Sequence, residues 1–212
     1  MGDSSNIVVE VIVWNGVYEK LNPFGHVTTK ITKNGKLYSF SLEAKNDEGP
    51  QAVCNTHKFR TLENVEQGVR EGFGFILDVT QKQAQSIFMT MYTRFHSYNT
   101  RSCWYQKHDH NCTFAIQVAM AKAGINLHHV ISRVKYFQIN GQQTILPAYV
   151  EEGLLKTKNN HHWLVKDIIH YQLGKKKGVK VKSQRKELLF SLEAFHSDKG
   201  WYTDQEAFKE KF

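Results

Sequence analysis

Cysteine is scarce in this chain, three in 212 residues. Cys54, Cys103 and Cys112 are odd in number and irregularly spaced, which excludes a disulfide framework, points to synthesis in a reducing compartment and leaves at least one thiol unpaired. Long apolar stretches are missing as well: no run approaches the roughly eighteen residues a membrane helix needs. The start, Met1-Gly2-Asp3-Ser4-Ser5-Asn6, has neither the basic patch nor the apolar stretch of a secretory signal, so no signal peptide is expected. Asn6 stands where an N-myristoylation site has Ser or Thr. Repeats are lacking too. Phe-Ser-Leu-Glu-Ala occurs at 40–44 and at 190–194, but nothing around it recurs, so no solenoid is expected.

Acidic residues are the minority, 20 against 28 lysines and arginines, for a net charge of +8. That excess favours an acidic partner, whether nucleic acid, anionic lipid or a polyanionic envelope polymer. Much of it falls in Lys175-Lys176-Lys177-Gly178-Val179-Lys180-Val181-Lys182, followed by Arg185 and Lys186, and the plain reading of such a run is a solvated basic loop. Hydrophobic residues make up 41% and aromatics 12%, enough for a globular core and for one domain with a small appendage.

Residues 7–14 are β-branched and almost wholly apolar, the pattern of a strand buried on both faces. Asn34-Gly35 predicts a two-residue hairpin turn between strands 26–32 and 36–43. That turn sets Lys33 against Lys36, and counting outward puts His26 opposite Glu43 with Ser41 on the diagonal of the same face. The polar, glycine-spotted stretch 45–75 reads as loops, with a short strand at 73–78. Thr80-Gln81-Lys82-Gln83 is a capping box that opens a helix through about Phe95, with Ala84, Ile87, Phe88 and Met91 on one stripe. After a polar, aromatic loop at 98–110, a second helix starts at Asn111 or Cys112 and ends at Gly124. Beyond it the patterns predict a strand at 134–139, a tight turn at Asn140-Gly141 and helices at 147–155 and 162–171. A last helical region starts at a second capping box, Thr203-Asp204-Gln205-Glu206.

The chemistry concentrates at Cys112. A thiol opening a helix meets unpaired backbone N–H groups and the positive end of the helix dipole, which lowers its pKa and raises its thiolate population. An imidazole brought beside it acts as proton acceptor, and His26 is the one the chain offers on a strand, in Gly25-His26-Val27. Competing readings exist for each residue. Cys112 in a helix also suits a small buried hydrophobe, Glu43 a surface cross-strand partner, and Asn111 an ordinary N-cap. His108, His110 and Cys112, with Cys103 nearby, offer zinc ligands on an extended loop, but no second spaced pair of the Cys-x-x-Cys kind accompanies them. The doublets His128-His129 and His161-His162 read as surface residues. Trp14, Trp104 and Tyr105 suit either a cleft lining or core.

The order Gly-His-Val strand, hairpin, Leu-Tyr-Ser-Phe-Ser-Leu-Glu-Ala, Val-Thr-Gln-Lys-Gln-Ala helix, tyrosine-bearing loop and Asn-Cys helix resembles circularly permuted papain-fold hydrolases. That superfamily includes permuted NlpC-type cell-wall peptidases, the lecithin retinol acyltransferase group and the PPPDE peptidases, and the matching covers about residues 7 to 125. In this branch the histidine precedes the cysteine, as here. The resemblance implies an α+β permuted papain-like fold: a core over 1–140, an antiparallel sheet packed on the cysteine helix, with a helical, lysine-rich extension over 141–212. It also implies Cys112 as nucleophile, His26 as general base and Glu43 as the group orienting His26, with Ser41 in reserve. The oxyanion would be held by the Cys112 N–H, with Asn111 as a second donor. Thr28 and Thr29 depart from the apolar residue that often follows His-Val in the family.

No metal and no cofactor is implied. The expected activity is thiol hydrolysis of an amide bond, with bacterial cell-wall peptide as substrate. Small proteins of this kind resemble antibacterial effectors, made in the cytoplasm, exported by a type VI machine to a target periplasm and neutralised by an immunity protein. Two other classes remain. One is a thiol protease, deubiquitinase or acyltransferase acting on a host protein or lipid. The other is a non-catalytic basic module for nucleic acid or anionic membrane, dependent on 175–186; no stable nucleic-acid complex is expected on the hydrolase reading.

Overall fold

The structure is a computed structural model that describes residues 6–16, 25–44, 54–56, 70–100, 112–125, 127, 137–139, 142–144, 147–156, 158–159, 162–174 and 179–180. In chain order its elements are β1 (Ile7–Trp14), β2 (His26–Lys33), β3 (Lys36–Ala44), β4 (Cys54–Thr56), β5 (Gly72–Leu77), α1 (Gln81–Thr100), α2 (Cys112–Lys122), β6 (Phe137–Ile139), β7 (Gln142–Thr144), α3 (Pro147–Lys156), β8 (Lys158–Asn159), β9 (His162–Trp163), β10 (Val165–Tyr171) and β11 (Val179–Lys180). It is an α+β fold. Five strands of six to nine residues, β10-β5-β1-β2-β3, form an antiparallel sheet, which the short strands β11 and β4 extend at its two edges.

The hairpin forms as its turn dictates. Asn34 and Gly35 both take positive φ, 48° and 74°, and the ladder runs from Lys33 opposite Lys36 to Thr28 opposite Ser41. β1 pairs with β2 along its whole length, ending with Trp14 opposite His26, and with β5 on its other side. β1 is therefore the central strand, which explains its nearly unbroken apolar sequence.

Alternation along the strands separates two faces. One carries Val9, Val11, Val13, Val27, Ile31, Phe40, Phe73 and Phe75. These share a single apolar core with Ile87 and Met91 of α1, Cys112, Ala115, Ile116 and Met120 of α2, and Val150 and Leu154 of α3. α1 lies against β1 and β4, α2 against β2 and β3, and α3 against β1. The other face is polar yet buried: Glu10, His26, Thr28, Ser39 and Ser41 are each under one-tenth exposed, around the apolar trio Ile12, Trp14 and Tyr171.

Local signals place the helices. Thr80 and Gln83 exchange the reciprocal bonds of a capping box, Thr80 N to Gln83 Oε1 at 3.0 Å and Gln83 N to Thr80 Oγ1 at 3.2 Å. α1 then continues to Thr100, a turn beyond the expected end near Phe95. α2 closes on Gly124 at φ 77°, with Ile125 N donating to Met120 O at 2.8 Å and Gly124 N to Ala121 O at 3.0 Å, a Schellman arrangement.

The expected helix at 162–171 is corrected to strand: β9 and β10 occupy that stretch, and β10 pairs with β5. Leu164, Ile168 and Tyr171 have helical spacing, but Val165, Ile168 and Ile169 are β-branched, and β5 needs a partner on the side away from β1. The loop reading of 45–75 is corrected at Cys54–Thr56, which adds β4 to the edge of β3. β10 also carries the central sheet past residue 140, where a core boundary was expected. The terminal helical region from Thr203 lies outside the described residues.

Candidate active site

His26 opens β2 directly after Gly25, whose φ of 76° bends the chain into the strand. Its ring lies on the polar face. Nε2 hydrogen-bonds Ser41 Oγ at 2.6 Å, and beside this pair Trp14 Nε1 donates to Thr28 Oγ1 at 2.9 Å. The diagonal between His26 and Ser41 is the relationship that the hairpin register predicts. Burial, and secondarily the positive charge of Arg70, lowers the His26 pKa to about 3, so the ring is neutral near pH 7.

Cys112 is the first residue of α2, buried and not part of a disulfide. The far end of its helix is tied by Ser86 Oγ, which donates to Lys122 O at 3.4 Å. Near the start of α1, Gln81 brackets the backbone of Ile7, accepting from its N–H at 2.8 Å and donating to its carbonyl at 3.3 Å. Cys112 belongs to the apolar core with Val27 and Ile31. Val27 and His26 are neighbours in a strand and point to opposite faces. The helix bearing the thiol thus packs on the strands that carry His26 and Ser41, but against the face opposite their side chains. Since His26 is the first residue of β2, a route from sulfur to imidazole runs around the end of the strand, not through the sheet.

Glu43 lies in β3 with Asn55 of β4 opposite it; its side chain, like Asn111, lies outside the described residues. So do His108, His110 and Cys103 of the zinc reading, as well as Trp104 and Tyr105. Among the described residues no group of three His, Cys, Asp or Glu is placed to hold a metal ion, and no helix is long and apolar enough to cross a membrane. Of the lysine run, Val179 and Lys180 are described: they form β11, and Lys180 Nζ pairs with Asp167 Oδ2 at 2.9 Å.

The polar face holds a second cluster that the sequence reading did not single out. Tyr171 O–H donates to Glu10 Oε1 at 2.7 Å, and Lys30 Nζ lies 3.3 Å from Glu10 Oε2. Gly74 makes this meeting feasible, because a Cβ there would run into the Glu10 carboxylate and lie 2.8 Å from the Tyr171 ring. An available signal was Glu10 interrupting an otherwise apolar strand, since a carboxylate at the centre of a sheet needs partners.

No protein family, curated protein or solved structure matches this chain.

Proposed function

We propose that this protein is a thiol hydrolase of the permuted papain type, with Cys112 as nucleophile, His26 as base and peptide amide bonds as substrate. The observation that carries the reading is the position of Cys112 at the first residue of α2, on a helix that packs against β2 and β3, the strands bearing His26 and Ser41. At that position backbone N–H groups and the helix dipole favour the thiolate. A neutral imidazole is the form that accepts a proton, and burial keeps His26 in it. Attack on a carbonyl would place the oxyanion against the Cys112 N–H, and His26 would return the proton to the leaving amine. Ser41, the reserve partner after Glu43, bonds the ring in its resting position. The opposing observation is the face on which His26 lies: catalysis requires its ring to leave Ser41 and turn around the start of β2 beside Gly25.

The excess positive charge favours an anionic polymer bearing the peptide, and cell-wall stem peptide is the proposed substrate. Action in a target periplasm, a secretion carrier and an immunity protein belong to the same proposal. The test is expression of wild type, Cys112→Ala and His26→Gln in a bacterial periplasm and cytoplasm, with mass spectrometry of digested sacculi. The expected result is lysis and new muropeptides with wild type in the periplasm alone. Equal toxicity of wild type and Cys112→Ala overturns the thiol mechanism, and full activity of His26→Gln assigns the base elsewhere. Cleavage of ubiquitin-like conjugates or acyl esters with no action on sacculi would support the host-directed thiol reading. Salt-dependent DNA binding that survives Cys112→Ala, with no cleavage, would support the basic module.

A further inference from the structure

The hairpin end of the sheet, where β1 starts and β2 turns into β3, carries cations and apolar side chains that the proposed thiol chemistry does not use. Lys33 and Lys36 face each other across the turn, a like-charge pair that costs stability. Each is carried over a ring: Lys33 Nζ lies 4.7 Å from the Phe88 centroid and Lys36 Nζ 5.3 Å from that of Tyr38. These rings pack together with Tyr92, Tyr38 edge-on to Phe88 at 5.0 Å and Phe88 stacked on Tyr92 at 5.7 Å. Lys82 stands at the same end, since its neighbour Gln81 brackets Ile7 and Ile7 lies opposite Lys33.

Lys30 and Lys180 are matched by Glu10 and Asp167. Among the described residues no carboxylate pairs with Lys33, Lys36 or Lys82. The cause is visible in the sequence, where no acidic residue occurs over 20–42 or 79–108, the stretches that supply the hairpin and α1. Asp78 follows β5, on the other side of β1 from the hairpin. An ammonium resting on a ring face keeps N–H groups for oxygen acceptors. Apolar side chains stand exposed around these cations: Val8 at 39%, Leu37 at 37%, Met89 at 47% and Tyr92 at 41%. Val8, Thr32 and Leu37 form one cross-strand row, on the sheet face opposite Tyr38. Met89 and Tyr92 lie on α1, on the other side, so the tip is flanked by apolar groups on both faces.

The chemistry of the patch distinguishes its anionic partners. A single-stranded nucleic acid stacks its bases on open rings, but Phe88 is buried and Lys36 covers Tyr38. Protein interfaces are poor in lysine, and arginine is the residue that grips carboxylates in a fork. Lipid headgroups take lysine as a point charge, while lysine stems, tyrosine and aliphatic side chains share the boundary with the acyl chains.

We infer that the hairpin end docks, tip first, on an anionic lipid bilayer, with Lys33 and Lys36 against lipid phosphates and Leu37, Met89 and Tyr92 entering the headgroup boundary. Asn34 N donates to Asn6 O at 3.1 Å and ties the turn to the residue ahead of β1, so the tip is held in place before it meets the surface. The attachment is peripheral and goes beyond the hydrolase reading, since it requires neither Cys112 nor the lysine run at 175–186.

The test is co-sedimentation of the full-length protein with vesicles of phosphatidylglycerol and phosphatidylcholine in equal parts, against vesicles of phosphatidylcholine alone. Wild type is expected to partition at least tenfold more strongly onto the anionic vesicles. Each of Lys33→Gln and Lys36→Gln is expected to weaken that partitioning about fivefold, and Leu37→Ser with Met89→Ser to weaken it further at unchanged charge. Replacing Lys175, Lys176 and Lys177 together by Gln is expected to leave most of it. Thermal unfolding checks that each variant is folded; should Lys33→Gln fail, the comparison is read from Lys36→Gln at the exposed tip. Equal partitioning onto both vesicle types overturns the inference, as does anionic binding that survives loss of both hairpin lysines. Binding insensitive to Leu37→Ser with Met89→Ser overturns insertion of the tip. Binding of oligothymidylate with none to vesicles assigns the patch to nucleic acid and overturns it as well.

Discussion

Nε2 of His26 and Oγ of Ser41 meet at 2.6 Å on the diagonal between β2 and β3, on the face of the sheet that also carries Trp14. The pair holds a neutral ring in a buried place, and the consequence is a pH-dependent stability. The folded-state pKa of about 3 lies below the ordinary 6.5, so between these values the unfolded chain binds a proton that the folded one lacks. Stability contributed by His26 is complete above pH 6.5 and is lost as the pH falls, by at most about 1.4 kcal/mol per pH unit. Urea unfolding at pH 5, 6 and 7 checks this: the wild type is expected to lose more stability on acidification than His26→Gln. Parallel curves for the two proteins would show that the ring titrates normally.

Ser41→Ala removes the hydroxyl and leaves the imidazole nitrogen without that partner in a buried setting. A destabilisation of about 1–3 kcal/mol is expected by the same unfolding measurement. On the hydrolase reading the ring must leave Ser41 to act, so kcat is not expected to fall with the loss of the hydroxyl, and Ser41→Thr, which keeps a hydroxyl, restores part of the stability. A Ser41→Ala protein of wild-type stability would reduce the bond to a bystander.

Thr80 caps α1 through its exchange with Gln83. Thr80→Ala is expected to cost about 1 kcal/mol, the ordinary worth of an N-cap. The substitution lies on the exposed start of the helix and leaves the polar face untouched. Hydrolysis, if present in wild type, should persist at 25 °C while the melting temperature drops.

How far these features were legible in the sequence follows from the range of the forces involved. Asn34-Gly35, Thr80 with Gln83, and Gly124 act within a few residues, and each produced the expected turn, cap or stop. The hairpin turn even set the His26 to Ser41 diagonal, because alternation transmits register from turn to strand end. Residues 162–171 defeated the same reasoning, since their apolar spacing suits a helix or a strand and the choice belongs to β5, nearly ninety residues earlier. The face on which α2 packs is likewise decided by long-range burial. Nothing local to His26 or Cys112 states that Val27 shares a core with the thiol while His26 points away.

Gly74 offers the sharpest test of the polar face, because what matters there is a missing side chain. The Glu10 carboxylate occupies the space over this glycine, accepting from Tyr171 O–H at 2.7 Å and facing Lys30 Nζ at 3.3 Å. A methyl group at position 74 would run into that carboxylate and press on the Tyr171 ring. Glu10 would have to move in a strand flanked on both sides, breaking a buried charge from its partners, so Gly74→Ala is expected to destabilise by about 3 kcal/mol or more. Tyr171→Phe takes away one hydrogen bond with almost no change in shape and is expected to cost less, about 1–3 kcal/mol. The ordering of the two variants is the decisive readout in chemical denaturation. If Gly74→Ala were the milder substitution, the carboxylate would not lie over the glycine, and the five-strand register that brings Glu10, Gly74 and Tyr171 together would be wrong.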